Sequence, residues 1–284
     1  MSNVIRVAGV QHSRVVGDKE GNLTAIATWV ERAAAEGARI VALPELSNTG
    51  YICTSTDEAY FALAEEIPGP TAQFYEKLAR DYDITVVGGL FERDSVSQSY
   101  YNAAVVAAPS GLVGHYRKTH IPSKNSFMEN FYFSPGNLGY PVFDLGFCRI
   151  GITICYDRHF PECYRHLALS GAEIVFSINN TGSPHSIRMW DKIMSCNAYC
   201  NGLFVVQVNA YGNEGGVSFL GGSAVVDSFG EFITHLDGGE QVMVADCDLD
   251  QIIAARRNLG STRDAVLADF GRERRHQNNM VVKS

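Results

Sequence analysis

Short apolar strands alternate with amphipathic helices along the whole chain, and the pattern runs twice with no linker between the halves. Each half also contains strand pairs separated by tight glycine-containing turns, such as Pro109, Ser110 and Gly111, which are typical of hairpins. Hairpins exclude a purely parallel, doubly wound sheet. The sequence therefore predicts an α/β fold in four layers, an αββα sandwich of two mixed sheets with a helix pair outside each.

The hydrophobic periodicity places strands and helices at specific positions. The predicted strands are residues 4–11, 39–44, 84–92, 101–108, 112–117, 142–145, 149–156, 173–178, 203–209, 223–227, 231–236 and 242–248. The predicted helices are residues 22–36, 71–82, 162–170 and 185–199. These elements predict a single domain over residues 1–255. The basic, polar segment 256–284 is predicted to be a C-terminal tail, either solvated or crossing a subunit interface.

Composition excludes several classes of protein. The 284 residues are 46% hydrophobic and 19% charged, as in ordinary globular proteins. The net charge of −8 argues against nucleic acid or an acidic membrane as a partner. There is neither an apolar run long enough for a membrane span nor a signal-peptide pattern at the N-terminus. We therefore expect a cytoplasmic protein.

The seven cysteines favour reduced thiols over disulfides or a metal site. Their number is odd, and no pair has CxxC spacing. Cys196 and Cys200 are four residues apart on a predicted helix, but no second pair of ligands follows nearby. We expect no bound metal.

Cys155 stands at the end of the apolar segment that contains Ile150, Ile152 and Ile154. Pro161 marks the first turn of the helix that follows. Backbone N–H groups at such a junction can hold an anion. A thiol in this position is a candidate nucleophile, although most cysteines at strand ends only pack.

Three further polar residues follow apolar strands or lie among aromatic residues. Glu45 comes directly after a predicted buried strand, where burial would raise its proton affinity toward that of a general base. Lys118 ends another strand and could stabilise a thiolate or an oxyanion. Glu129 lies in an aromatic segment and could hold a nearby lysine. Each has an ordinary structural explanation when considered alone.

Together the four residues form a pattern that resembles the nitrilase superfamily of carbon–nitrogen hydrolases. The motifs that carry the resemblance are Pro44-Glu45 with Thr49-Gly50-Tyr51, residues 116–120, Glu129 with residues 131–133 and Pro135-Gly136, and Gly151-Ile152 with residues 154–157 and 160–162. The resemblance runs to about residue 250. It implies the αββα fold, a homodimer or larger homo-oligomer, and neither a metal nor an organic cofactor.

The resemblance also implies catalytic roles. Cys155 would attack a carbonyl or nitrile carbon, and Glu45 would take the thiol proton and return it to the leaving ammonia. Lys118 and the backbone N–H of Tyr156 would stabilise the oxyanion, while Glu129 would position Lys118 or the substrate nitrogen. The product of the first step would be a thioester, which water then hydrolyses.

The residues after the nucleophile suggest a substrate. Arg158 could bind a carboxylate with two hydrogen bonds, as expected of relatives that hydrolyse N-carbamoyl amino acids, including N-carbamoyl-β-alanine. It could instead pair with Asp157 or Glu162. His120, His159 and Arg188 are lesser candidates for polar contacts, and the loop that starts at Asn179 would shape the pocket.

Other substrates and functions remain open at this point. An aliphatic amidase would share every catalytic residue and would not need Arg158. An N-carbamoylputrescine amidase, which acts on a cationic ureide, would not call for an arginine there either. A nitrilase proper and a non-catalytic interaction module are less favoured. The module would be expected to have lost Glu45, Lys118 or Cys155. In each catalytic case the partner is a small ureide, amide or nitrile.

Overall fold

The computed structural model describes residues 3–122, 127–182, 184–258 and 281–283. The strands in this part of the chain are β1 (Val4–Gln11), β2 (Ile40–Ala42), β3 (Thr85–Arg93), β4 (Tyr100–Ala108), β5 (Gly111–Arg117), β6 (Val142–Asp144), β7 (Arg149–Ile154), β8 (Ile174–Asn179), β9 (Phe204–Asn209), β10 (Tyr211–Glu214), β11 (Val217–Leu220), β12 (Ala224–Val226), β13 (Phe232–His235), β14 (Gln241–Asp248) and β15 (Val281–Lys283). The helices are α1 (Lys19–Ala35), α2 (Pro70–Tyr82), α3 (Glu129–Tyr132), α4 (Pro161–Leu169), α5 (Pro184–Asn201) and α6 (Asp250–Asn258).

Two mixed sheets form the centre of the molecule. The first has the strand order β14-β1-β2-β3-β4-β5, and the second β13-β12-β9-β8-β7-β6-β15. Each sheet contains three parallel strands, β1–β3 in the first and β7–β9 in the second, flanked by antiparallel strands. The predicted duplication and the mixed character of both sheets are confirmed.

Alternation along the strands separates three apolar layers. Val7 of β1 and Phe176 of β8 lie in the core between the sheets. Ala8, the next residue of β1, faces Ile26 of α1 in the layer outside the first sheet. Val175 of β8 lies with α4 and α5 in the layer outside the second sheet. Successive side chains of a strand point to opposite faces, so this pattern produces the predicted αββα order.

Several elements differ from the sequence prediction. The hairpin of β10 and β11 and the short helix α3 were not predicted, because neither segment has a clear apolar period. β7 ends at Ile154, and residues 155–159 form a 3-10 turn before α4 begins. Because β7 is shorter than predicted, Cys155 lies on the turn. Its side chain therefore does not follow the alternating side-chain directions of β7.

The C-terminal part of the chain is described only in part. α6 continues to Asn258, past the predicted boundary at 255, and Arg256 donates to the carbonyl oxygens of Gly202 and Ala172 at 3.2 Å each. β15 pairs with β6 of the same chain. Residues 259–280 and Ser284 lie outside the described residues, so the predicted crossing of a subunit interface stays a prediction. Among the described helices, none has the length and apolarity needed to cross a membrane.

Candidate active site

The candidate site lies where the carboxyl ends of strands from both sheets meet. Glu45 follows β2 and Lys118 follows β5, both of the first sheet, while Cys155 follows β7 of the second. Glu129 is the first residue of α3. Ligands of open α/β sheets commonly bind outside the carboxyl ends of the strands. The fold thus brings all four predicted catalytic residues to one region.

Lys118 forms buried ion pairs with both glutamates. Its Nζ lies 2.7 Å from Oε1 of Glu45 and 2.6 Å from Oε2 of Glu129, and all three side chains are fully buried. Burial alone would lower the pKa of Lys118, but the two carboxylates outweigh it and hold that pKa well above its ordinary value. Lys118 therefore stays an ammonium throughout the physiological pH range.

Glu129 behaves differently from a solvated acid. Burial, with a contribution from the charge of Glu45, raises the pKa of Glu129 to about 7 although Lys118 opposes the shift. Its Oε1 accepts a hydrogen bond of 2.8 Å from Oη of Tyr51. Two carboxylates around one ammonium leave an excess negative charge in a buried site. This excess explains why Glu129 keeps its proton to a higher pH than a solvated glutamic acid does.

The position of Glu45 is fixed by neighbours on the first sheet. Nδ2 of Asn102, on β4, donates to Oε1 of Glu45 at 2.7 Å. A Cβ added to Gly89 of β3 would lie 2.6 Å from the backbone nitrogen of Leu46, so only glycine lets this loop pass so closely. Oε2 of Glu45 is buried and has no hydrogen-bond partner among the described residues. That oxygen is the one available to accept a proton.

Cys155 occupies a strained position on its turn. Its φ is +47°, in the left-handed region that costs a residue with a Cβ about 1 kcal/mol or more. Burial first, then the Glu45 carboxylate, raise the pKa of its thiol to about 11, although Lys118 and Arg158 act in the opposite direction. The thiol donates to the carbonyl oxygen of Asn180 at 3.9 Å. Cys155 is therefore a protonated thiol, which would need a base before it could act as a nucleophile.

Arg158 lies beside Cys155. Its Nη1 donates to the carbonyl oxygen of Cys155 at 2.7 Å and lies 3.5 Å from Sγ of the same residue. Its guanidinium lies 5.1 Å from the ring centroid of Trp190, in cation–π geometry. The side chain is buried, yet among the described residues it forms no ion pair with a carboxylate. The alternative that Arg158 pairs with Asp157 or Glu162 is wrong.

Asp157 is instead saturated by other donors. Oδ2 accepts from Oη of Tyr116 at 2.7 Å and from the backbone nitrogen of Ile154 at 3.0 Å. Oδ1 accepts from the backbone nitrogen of His120 at 3.0 Å and lies 2.8 Å from its Nδ1. Cys163 Sγ is 3.8 Å from the same Nδ1. His120, Asp157 and Cys163 are residue types that can bind a metal. The four hydrogen bonds of Asp157 instead indicate that it supports the turn that contains Cys155.

The remaining predicted substrate contacts have different environments. The His120 ring stacks on Phe160 at 3.6 Å and is a quarter exposed. Asn179 is buried, with Nδ2 donating to the carbonyl oxygens of Ser177 and Val208, and its Oδ1 lies 3.4 Å from Nη1 of Arg158. Asn179 thus supports Arg158, which the sequence did not indicate. Its contact with substrate, like that of His120, stays a prediction.

Three predicted residues are more open to solvent. Tyr156 directly follows Cys155 in the chain and is half-buried. His159 is exposed, and its ring centroid lies 5.3 Å from that of Tyr156. Arg188 is exposed on α5. These positions are compatible with a pocket rim, and their contact with substrate stays a prediction.

Sequence reasoning missed several residues that hold the site. Asn102 could have been found, because a polar side chain interrupts the apolar run of β4. Tyr51 was recognised only as part of a motif, and its hydrogen bond to Glu129 was not foreseen. Arg14, Asn180 and Glu214 gave no signal, since they lie in irregular or glycine-rich segments.

The fold and the site define a hydrolase with a buried cysteine, an ammonium and two carboxylates. Residues 6–257 match the Carbon-nitrogen hydrolase family. The chain belongs to that family, and it is an enzyme that acts on carbon–nitrogen bonds.

Individual relatives support the assignment. A nitrilase of Pyrococcus abyssi is 36% identical, with 87% of this chain and 90% of the relative covered. A citrullinase of Francisella tularensis is 35% identical (92% and 94% covered), and an N-carbamoylputrescine amidase of Arabidopsis thaliana is 33% identical (87% and 88% covered). The crystal structure of a carbon–nitrogen hydrolase from Helicobacter pylori superposes with a TM-score of 0.88 at 29% identity, covering 97% of this chain and 99% of that one.

The hydrogen bond from Tyr51 to Glu129 predicts how activity depends on pH. If the ionised form of Glu129 is the active one, activity falls as the pH drops through about 7. The Tyr51 hydroxyl favours that ionised form, so Tyr51→Phe should raise the pKa of Glu129 and move the acid limb of kcat/KM upward by about one unit. The matched control is Tyr164→Phe, another buried tyrosine whose hydroxyl lies 3.2 Å from Oγ1 of Thr153. An acid limb that shifts equally in both variants, or in neither, would contradict this role.

Proposed function

We propose that this enzyme is a cysteine-dependent amidohydrolase of N-carbamoyl amino acids, for example N-carbamoyl-β-alanine or an N-carbamoyl α-amino acid. It would release ammonia and CO2 through a thioester on Cys155. The observation that carries the proposal is the buried guanidinium of Arg158 beside the nucleophile, with no carboxylate partner among the described residues.

A buried charge without a counter-ion is costly. The carbonyl oxygen of Cys155, the Trp190 ring and the amide oxygen of Asn179 solvate Arg158 in part, but none of them carries a full negative charge. A substrate carboxylate would complete the arrangement with charge-assisted hydrogen bonds. In a substrate bound in this way, the separation of Arg158 and Cys155 would fix the distance between the carboxylate and the carbon that Cys155 attacks.

The relatives support a ureide more than a simple amide. Citrullinase is named for citrulline, a ureide that carries a carboxylate. N-carbamoylputrescine amidase is named for a ureide that carries an amine. An ammonium group near Arg158 would be repelled, so we favour the carboxylated class and keep the cationic one, with aliphatic amides, as the alternative.

The proposed reaction follows from the arrangement of charges. Glu45 accepts the thiol proton through its unpartnered oxygen while the sulfur attacks the ureido carbon. Lys118 and the backbone N–H of Tyr156 stabilise the oxyanion. The C–N bond breaks, and the leaving nitrogen takes the proton from Glu45 and departs as ammonia. Water, deprotonated by Glu45, then displaces the sulfur, and Glu45 returns this proton to the departing thiolate. The carbamate product loses CO2 to give the amino acid.

The high thiol pKa fits this sequence of events. A thiol with a pKa of about 11 holds its proton at neutral pH, so the base must act in the same step as the attack. Glu129 accepts from Tyr51 and pairs with Lys118, and its role is to hold the ammonium toward the oxyanion.

The test compares ammonia release from N-carbamoyl-β-alanine, N-carbamoyl-D- and L-amino acids, N-carbamoylputrescine, short amides and nitriles. We expect the highest kcat/KM for a carboxylated ureide. Arg158→Met should lower that kcat/KM about 100-fold or more, mainly through KM, and should change kcat/KM for an uncharged amide by less than about five-fold. The matched control is Arg149→Met, which removes an exposed arginine from β7.

Two results would overturn the proposal. One is faster turnover of uncharged amides or nitriles than of every carboxylated ureide. The other is an equal loss on ureides and amides in Arg158→Met, which would mean that Arg158 acts on the thiol rather than on a substrate carboxylate.

The proposal also includes a cytoplasmic location and a homodimer or larger homo-oligomer. The absence of disulfides among the seven cysteines supports a reducing compartment. The family resemblance supports the oligomer, which light scattering on the purified protein would test directly.

A further inference from the structure

A fully buried ion pair lies next to the site without containing any of the four catalytic residues. Arg14 follows β1, and Glu214 is the last residue of β10. Nε and Nη2 of Arg14 donate to Oε1 of Glu214 at 2.9 and 2.7 Å, and both side chains are 0% exposed. Apolar residues of similar volume often serve stability as well or better. The pair therefore calls for an explanation other than stability.

The remaining nitrogens of Arg14 hold two loops of the active site. Nη1 donates to the carbonyl oxygen of Glu45 at 2.6 Å, and Nη2 donates to Oδ1 of Asn180 at 2.6 Å. Nδ2 of Asn180 donates to the same Glu45 carbonyl at 3.0 Å. The backbone carbonyl of Asn180 in turn accepts from the thiol of Cys155. Arg14 thus links the backbone of the base to the loop that contacts the nucleophile.

Glu214 extends this network of hydrogen bonds, through Tyr51, to Glu129. Its Oε2 accepts from the backbone nitrogen of Tyr51 at 2.8 Å, and the hydroxyl of Tyr51 donates to Glu129. Gly50 precedes Tyr51 with a φ of +67°, and a Cβ there would lie 3.3 Å from Oε2 of Glu214 and 3.1 Å from Cα of Val16. The loop is therefore shaped to bring the Tyr51 N–H to this carboxylate.

We propose that Arg14 and Glu214 are positioning residues, which set the distances between Glu45, Cys155 and Glu129 across the gap between the two sheets. An arginine suits this role because its planar fork reaches three acceptors in fixed directions, whereas a lysine would offer a single nitrogen. Small displacements of reacting groups cost large factors in rate. The inference rests on the proposed function only for the roles of Glu45, Cys155 and Glu129.

The test is the double variant Arg14→Met/Glu214→Leu, which removes both charges and leaves neither one buried alone. We expect a folded protein with a lower Tm than the wild type, because Oδ1 of Asn180 and the backbone N–H of Tyr51 lose their buried partners. Its kcat should fall about 100-fold, while KM stays within about three-fold because both side chains are fully buried against other protein groups. The matched control is Arg6→Met/Asp246→Leu, which removes an exposed pair between β1 and β14 and should leave kcat unchanged.

A second measurement does not depend on the substrate class. The pH dependence of iodoacetamide alkylation at Cys155 is followed by mass spectrometry of the peptide that contains it. Because burial and Glu45 raise the pKa of this thiol, loosening the loops should lower the alkylation midpoint by about half a unit or more. The control pair should leave it in place.

The outcomes separate this inference from the proposed function. If the wild type prefers amides, the proposed function fails, and the kinetic test is run on the best amide instead. A folded double variant with unchanged kcat and alkylation midpoint, whatever its Tm, would show that the pair is merely structural. A double variant that fails to fold is replaced by Arg14→Lys, for which the same kcat loss at constant KM is expected, and an unchanged kcat would overturn the inference.

Discussion

Cys155→Ala should abolish turnover, with kcat lowered by about 10⁴-fold or more. Cys53, a second buried thiol near the site, should not replace it, because burial raises the pKa of Cys53 well above its ordinary value. The fold should survive, since alanine can occupy the same strained turn at a similar conformational cost. Ammonia release measured with a large excess of enzyme sets the limit of detection.

The control for this variant is Cys247→Ala. Cys247 is buried in the core between the sheets, so the substitution removes an equally buried thiol far from the site. It should lower stability by about 1 kcal/mol without changing kcat. If Cys155→Ala retained activity above the experimental error of the control measurement, Cys155 could not be the nucleophile.

Lys118→Met should have the second-largest effect, because it leaves Glu45 and Glu129 buried together without a cation. Loss of the oxyanion donor and protonation of the base should lower kcat/KM about 10³-fold or more. The uncompensated carboxylates should lower the free energy of unfolding by about 3–5 kcal/mol at neutral pH. Kinetics and urea unfolding measure the two effects separately.

The pH dependence of that loss has a definite sign. Without Lys118, which opposes the shift, the raised pKa of Glu129 rises further, so the folded state binds more protons than the unfolded state and stability falls as pH rises. The deficit against the wild type should therefore be largest near pH 7 and smaller near pH 5. Lys118→Met/Glu129→Gln, which removes one carboxylate charge, should regain stability but not activity. A deficit that grows toward acid pH would contradict the buried-charge account.

The layers of the fold followed from the sequence because they depend on periodicity. Residues such as Val7 and Ala8 occupy opposite faces of one strand, and a two-residue period reveals this. The hairpin of β10 and β11 follows no such period. It packs through Phe219, which lies in an apolar cluster with Tyr51, and through the buried charge of Glu214, whose partner Arg14 is 200 residues away in the chain.

The four candidate catalytic residues were predictable for a different reason. Glu45, Lys118 and Cys155 each follow an apolar strand, and their order resembles a known family. The strained φ of Cys155 and the partners of Arg158 depend on tertiary contacts, above all on Asp157, which binds Tyr116 and His120 rather than Arg158. A sequence shows that two opposite charges are neighbours, but not which other donors compete for the carboxylate.

The most direct test of the mechanism is the mass of the Cys155 peptide during turnover. Enzyme mixed with a stoichiometric amount of the best ureide is quenched in acid within milliseconds and digested. We predict that this peptide carries the substrate less one ammonia, and that the adduct is absent from Cys155→Ala. Turnover in which the Cys155 peptide stays unmodified at every time, or in which the adduct lies on another residue, would contradict nucleophilic attack by Cys155.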